Sequence, residues 1–131
     1  MNDIQSILEK TKTIAVVGLS DKPERDSYGI ARVLQKSGYK IVPVNPTIDE
    51  SHGEKSYPDL KSIPVDIDIV NVFRKPEDVP PIIDEALETK AHTIWLQTGI
   101  TVNDDVADKV KKAGKTLIQD QCLGTTVRMM R

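Results

Sequence analysis

Three short polar clusters in this chain combine residue types that could hold an anionic ligand, and each follows a β-branched apolar run. Gly18-Leu19-Ser20-Asp21-Lys22-Pro23, with Arg25 close behind, supplies a glycine, a hydroxyl and two cations. If a helix begins after it, such a loop can bind phosphate through backbone N–H groups, the helix dipole and charged side chains; a solvated turn has the same composition. Phe73-Arg74-Lys75 places a ring beside two cations, a set able to hold a phosphate and cover an adenine, or simply to stay hydrated ahead of a helix. Gln97-Thr98-Gly99 adds polar side chains and a glycine that would let the main chain approach a ligand closely, unless it only turns the chain.

Other chemistries lack their residues. A dinucleotide fingerprint would need glycines two and five positions after Gly18, where Ser20 and Pro23 stand. The acid that would bind a ribose is missing too, because the second apolar run ends in Asn45-Pro46, with Asp49 and Glu50 only farther on. No Gly-Lys-Ser/Thr ending makes a Walker loop. Ser20 lacks a nucleophile elbow, and Cys122 has no histidine near it in sequence, which favours a small packed hydrophobe over a nucleophile. His52 falls in an irregular stretch and His92 just before an apolar run, so neither is placed as a general base, and no catalytic residue is assigned. Asp104, Asp105 and Asp108 suit the first turns of a helix, where they would stabilise its dipole.

Composition narrows the partners. The 131 residues carry a net charge of −2 and only 4% aromatic residues, so the chain has neither a broad basic surface nor stacking platforms, and no nucleic-acid partner is expected. The opening Met1-Asn2-Asp3 is acidic where a signal peptide is basic, and no apolar run nears the ~18 residues of a membrane helix. A cytoplasmic protein without membrane contact is expected. A single cysteine excludes an internal disulfide, and two distant histidines leave no metal-ligand set.

The positioning elements follow from apolar spacing. Strand-length runs occur at 13–17, 40–44, 67–72, 93–96 and 116–118, most of them continuously apolar, as strands covered on both faces are. Between them, helical spacing appears at Ile30, Ala31, Val33 and Leu34 behind a Ser27 cap, at Ile82, Ile83, Ala86 and Leu87 behind Pro76, and at Val106, Ala107 and Val110 behind an Asn103 cap. Ile4, Ile7 and Leu8 suggest a short leading helix, and the stretch from Thr47 to Val65 replaces a crossover helix with irregular chain. This alternation predicts one α/β domain over residues 1–131: a Rossmann-like, doubly wound, mainly parallel five-stranded sheet with helices on both faces. The expected strand order is 3-2-1-4-5, with the topological switch between the first and fourth strands.

In this arrangement the sequence resembles the small stand-alone CoA-binding proteins, relatives of the CoA-binding domain of the succinyl-CoA synthetase alpha subunit and of ADP-forming acyl-CoA synthetases. The similar stretches are Val16 to Pro23 with Arg25, Asp26, Ser27 and Tyr28; Val42 to Pro46; Gly53 to Leu60; Val70 to Arg74; Ile94 to Gly99; and Asp120 to Cys122. The resemblance implies that Gly18, Leu19, Ser20, Lys22 and Arg25 hold the phosphates of coenzyme A or an acyl-CoA, and that Asn45 and Pro46 border the nucleotide. It further implies that Phe73 and Arg74 make third-strand contacts, that Gln97, Thr98 and Gly99 approach the pantetheine arm, and that Cys122 packs near the cofactor thiol. Three phosphate groups also suit Lys22, Arg25 and Arg74 better than they suit an NAD site. The synthetases' phosphorylated histidine and nucleotide-binding partner have no counterpart here, and the tail from Leu123 to Arg131 departs from the relatives. The implied function is non-catalytic CoA binding. Alternatives are an accessory subunit of an acyl-CoA ligase, with an acyl-CoA-metabolising partner or a homo-oligomeric assembly, and an NAD-binding regulatory domain.

Overall fold

The computed structural model describes residues 3–130; Met1 and Asn2 of the N-terminal segment and Arg131 of the tail lie outside the described residues. Every expected strand forms, as β1 (Thr13–Val17), β2 (Lys40–Val44), β5 (Ile69–Val72), β6 (Thr93–Leu96) and β7 (Thr116–Ile118), all parallel in one sheet. A two-residue pair, β3 (Glu50–Ser51) and β4 (Glu54–Lys55), makes a separate hairpin. The third main strand starts two residues later than its apolar run. Asp68 is diverted to cap the start of β1, its Oδ2 accepting from the Lys12 and Thr13 amides at 2.9 and 3.0 Å.

Alternation within β1 divides the core. Ile14 and Val16 face one apolar layer with Ile69 and Trp95, against Ile7 and Leu8 of α1 (Asp3–Glu9), Ala31 and Leu34 of α2 (Asp26–Lys36), and Leu123 and Val127 of α5 (Leu123–Met130). Ala15 and Val17 face the other, with Val70, Val72 and Ile94 against Val79, Ile83 and Ala86 of α3 (Val79–Leu87) and Val110 of α4 (Asp104–Lys112). All four residues of β5 and of β6 are buried, as two-sided cover requires. No helix among the described residues is long and apolar enough to cross a membrane.

The strand order corrects the expectation. It is β2-β1-β5-β6-β7, so the third main strand lies beside the first and the switch falls between β1 and β5. Pro43 supplies the reason. Its carbonyl accepts from the Tyr57 amide at 3.0 Å on the outer edge of β2, where a proline's missing N–H costs no ladder bond. The Tyr57 carbonyl in turn accepts from the Asn45 amide at 2.9 Å. The chain after β2 therefore occupies the edge that an order of 3-2-1 would have given to β5.

Two further differences concern helix ends. Ser27 lies inside α2, whose N-cap is Arg25 without a side-chain cap, and the serine hydroxyl serves the preceding loop instead. Asn103 does cap α4, its side-chain oxygen accepting from the Val106 amide at 3.0 Å. The helix α5 was not anticipated. Its apolar spacing is carried by Leu123 and Val127, and Gly124 fits against Ile30 of α2, where a Cβ would stand 3.1 Å from the isoleucine side chain.

Candidate functional site

The loops leaving β1, β2, β5, β6 and β7 gather at one edge, and Gly18 sets how closely the central two approach. Its φ is +87°, and a Cβ there would run into the Phe73 carbonyl, so only glycine lets the β1 and β5 exits meet at the switch. Main-chain bonds hold both sides of the β1 exit, from the Gly18 amide to the Val44 carbonyl at the end of β2 and from the Phe73 amide, across the switch, to the Val17 carbonyl, each 2.8 Å.

The loop from Gly18 to Arg25 is held from three sides. From α2, Ser27 Oγ accepts the Ser20 amide at 3.0 Å, and within the loop Ser20 Oγ accepts the Lys22 amide at 3.0 Å. From β2, Asn45 Nδ2 donates to the Leu19 carbonyl at 3.1 Å, while its Oδ1 accepts from the Thr47 amide and hydroxyl at 2.9 and 2.7 Å. From the hairpin, Ser51 Oγ lies 3.1 Å from the Ser20 carbonyl and 2.7 Å from His52 Nδ1, and His52 Nε2 donates to the Tyr28 carbonyl at 2.8 Å. The acceptor is a carbonyl, so this nitrogen must carry the proton. His52 also packs its ring 4.1 Å from that of Tyr28, and its pKa is lowered by burial first, with Arg32 adding to the effect and the Tyr28 bond opposing it. His52 is thus an anchor of the loop. Lys22 and Arg25 are exposed, and their side chains find no ion pair among the described residues.

Above this loop opens a polar cleft of about 820 Å³, lined by Gly18, Ser20, Lys22, Arg25, Asn45 and Phe73 among others. A second cleft of about 930 Å³ runs between α2 and α5 over the exits of β5 and β6. The two share Glu24, Arg25, Asp26 and Phe73, so they are halves of one groove. The second half is walled by Gly29, Ile30 and Val33 of α2 and by Gly124, Thr125 and Arg128 of α5, with Arg74, Gln97, Thr98, Ile100 and Cys122 completing it. Arg74 is partly committed, its guanidinium 3.4 Å from the Asp78 carboxylate.

Cys122 sits in that second half, fixed by the sheet beneath it. Trp95 Nε1 donates to the Gln121 carbonyl at 3.0 Å, the Gln121 amide donates to the Leu96 carbonyl, and Gln97 Oε1 accepts from the Leu123 amide at 3.4 Å. Burial pushes the thiol's pKa up. Hydrogen bonds from Thr125, Gln97 and the Gly124 amide outweigh that effect, and the net shift is downward.

Most of the expected residues meet in this groove, and three do not face it. The Leu19 side chain is wholly buried in the core, leaving only its main chain near the site. Pro46 is exposed outside both halves, and the Gly99 amide is used at 2.6 Å by Asp120 Oδ1. Lys75 lines neither half and is the N-cap of a short 3-10 turn, and His92 is at the opposite sheet edge, its amide bonded to the Asp68 carbonyl. Sequence reasoning, which selects the loops from Asn45 to Thr47 and from Asp120 to Thr125 as ligand-facing, missed Ile48 in the polar half and Gly29, Ile30, Val33 and Arg128 on the helical walls of the other. The Leu123/Val127 spacing would have revealed α5, and with it Arg128. Among the described residues no group of three His, Cys, Asp or Glu is placed to hold a metal ion.

A doubly wound parallel sheet with an anion-suited loop and helix start over its switch point defines a Rossmann-like nucleotide-binding fold. Residues 12–128 match the CoA binding domain family, and the chain belongs to it. The Bacillus subtilis (strain 168) uncharacterized protein YneT is 48% identical over 121 residues, covering 92% of this chain and 89% of that one. A solved structure from Thermus thermophilus, cell-free ID.343, superposes with a TM-score of 0.93 at 32% identity over 100% of both chains. The alpha subunit of the ADP-forming acetate–CoA ligase II of Pyrococcus furiosus is 26% identical over 85% of this chain, which spans only 26% of that subunit.

Proposed function

We propose that this chain binds coenzyme A or an acyl-CoA along the groove and performs no chemistry on it by itself. The observation that carries the reading is the continuity of a polar half and a more apolar half through Arg25 and Phe73, matching a ligand with phosphates at one end and an uncharged arm at the other. Lys22 and Arg25 hold the diphosphate with the loop amides, Asn45 borders the nucleotide, and Phe73 covers the turn between the halves. Arg74 reaches a phosphate at the expense of Asp78. The arm then runs past Gln97 and Thr98 and brings the cofactor thiol towards Cys122. Membership in the CoA binding domain family supports this assignment.

Calorimetry on ligand-stripped protein tests it. Binding of CoA without heat from NAD is the expected result, and no binding of CoA or acetyl-CoA at millimolar ligand would overturn it. A second reading, an accessory subunit for a separate acyl-CoA ligase, is favoured by the relative that is itself named a ligase subunit. Affinity capture of the tagged chain from cells answers it, since a stoichiometric ligase partner is expected under that reading and recovery of the tagged chain alone refutes it.

A further inference from the structure

The cations of the groove outnumber the uses its polar half has for them. Lys22 and Arg25 line the phosphate end, and Arg74 stands near the junction. Arg128 lines only the apolar half, on the α5 wall, in company with Cys122, Thr125, Ile30 and Val33. CoA's phosphates all lie towards its nucleotide, so a cation beside the arm's thiol end has no phosphate to serve. Arg128 also makes no ion pair or hydrogen bond among the described residues.

We propose that Arg128 gives the groove a preference for acyl-CoA whose short acyl chain ends in a carboxylate. This rests on CoA occupying the groove in the orientation above. The apolar side chains of Ile30 and Val33 take the methylene portion of such an acyl group, and the arginine fork receives the terminal carboxylate in the planar, two-bond geometry that a lysine cannot match. Thr125 lies one helical turn before Arg128 on the same wall, but its hydroxyl is committed to the Cys122 thiol, which leaves Arg128 as the donor for the carboxylate. Glu24 and Asp26, the groove's acids on this side, belong to the rim shared with the phosphate half, where Arg25 stands between them in sequence. A merely structural Arg128, offsetting the dipole at the end of α5, would affect stability and leave ligand discrimination unchanged.

The test compares succinyl-CoA with butyryl-CoA, which have the same four-carbon length, by calorimetry on wild type, R128A and R128K, with melting temperatures confirming that the variants are folded. The expected result is a preference of about three- to tenfold for succinyl-CoA in wild type. R128A removes it while leaving butyryl-CoA affinity unchanged, and R128K restores part of it. Equal wild-type affinities, or a preference that survives R128A, overturn the inference and leave CoA binding standing. Equal weakening of both ligands by R128A overturns it by assigning Arg128 to a phosphate. Binding of neither ligand to wild type overturns the proposed function as well.

Discussion

Gly29 separates what the fold wants from what the groove needs. It occupies the first turns of α2, where glycine is poorer than alanine by roughly 0.8 to 1 kcal/mol in a helix interior. Nothing in the fold requires it: its φ lies outside the left-handed range, and a Cβ built on it meets no atom within 4 Å. That open space is the groove itself. G29A should therefore stabilise the free protein by about 0.5 to 1 kcal/mol, near the lower bound because the site is close to the helix start. For a chain of this size the gain corresponds to a rise in Tm of about 2 to 4 °C. The same methyl projects where the cofactor arm is to lie, and forcing an extra methyl into an occupied space costs about 1 to 3 kcal/mol. The lower figure is the better expectation in an open groove whose ligand can shift, or about a fivefold weaker Kd for CoA. Thermal melts without ligand and calorimetry with CoA measure the two effects separately. A higher Tm with unchanged CoA affinity would refute the path of the arm over α2, and a lower Tm would refute the geometry assigned to Gly29.

Other expectations follow from the same geometry. R25A should weaken CoA binding by about 1 to 3 kcal/mol, and R74A by less, because Arg74 must first release Asp78; isothermal titration of both variants would show the reverse order if Arg74 were the principal phosphate ligand. The Cys122 thiol, its pKa below the ordinary value, should be alkylated by iodoacetamide with a pH midpoint below that of a free thiol. T125V, which removes one of its hydrogen bonds, should move the midpoint up, and an unmoved midpoint would dissociate Thr125 from the thiolate. His52 and His92 both have pKa values lowered mainly by burial, so each favours the neutral folded form. Their stabilising effect is complete above the unfolded value near 6.5 and is lost as pH falls through the depressed folded values; urea midpoints should decline from pH 7.5 to 5.5, and a flat profile would contradict the assignment. G18A should cost more than about 2 kcal/mol, since it combines a left-handed φ with a clash against the Phe73 carbonyl, and a wild-type urea midpoint would refute the close approach of β1 and β5.

The sheet was legible because its strands are nearly continuous apolar runs between helical periods, a pattern that few architectures other than a doubly wound sheet can bury. Its order was less legible. Both 3-2-1-4-5 and the observed order satisfy the crossover rules, and the residue that distinguishes them is Pro43, which belongs on an edge strand. Reading that proline as an edge marker would have placed β5 beside β1 and moved the switch to the exits of Gly18 and Phe73. The phosphate-suited loop was visible as a cluster of residue types, whereas its supports from Asn45, Ser51 and His52 join positions 26 to 31 residues apart or bridge through Tyr28, and no local pattern records them.

The apolar half of the groove was the hardest part to anticipate, for a physical reason. Its walls are two helices that pack on each other, and the contact depends on Gly124 admitting Ile30, a pairing between residues far apart in the sequence. Each helix alone shows only an ordinary core stripe: Ala31 and Leu34 on α2, Leu123 and Val127 on α5. The residues that line the groove are the ones left over once those stripes are buried, so they carry no periodic signal of their own. Gly29 and Arg128 become meaningful only when both helices are in place, because one leaves space and the other brings charge to opposite walls of the same groove. Substitutions at these two positions should therefore act on the ligand's arm and acyl end while sparing the contacts at Lys22, which makes them the sites to vary when changing acyl preference without losing the cofactor.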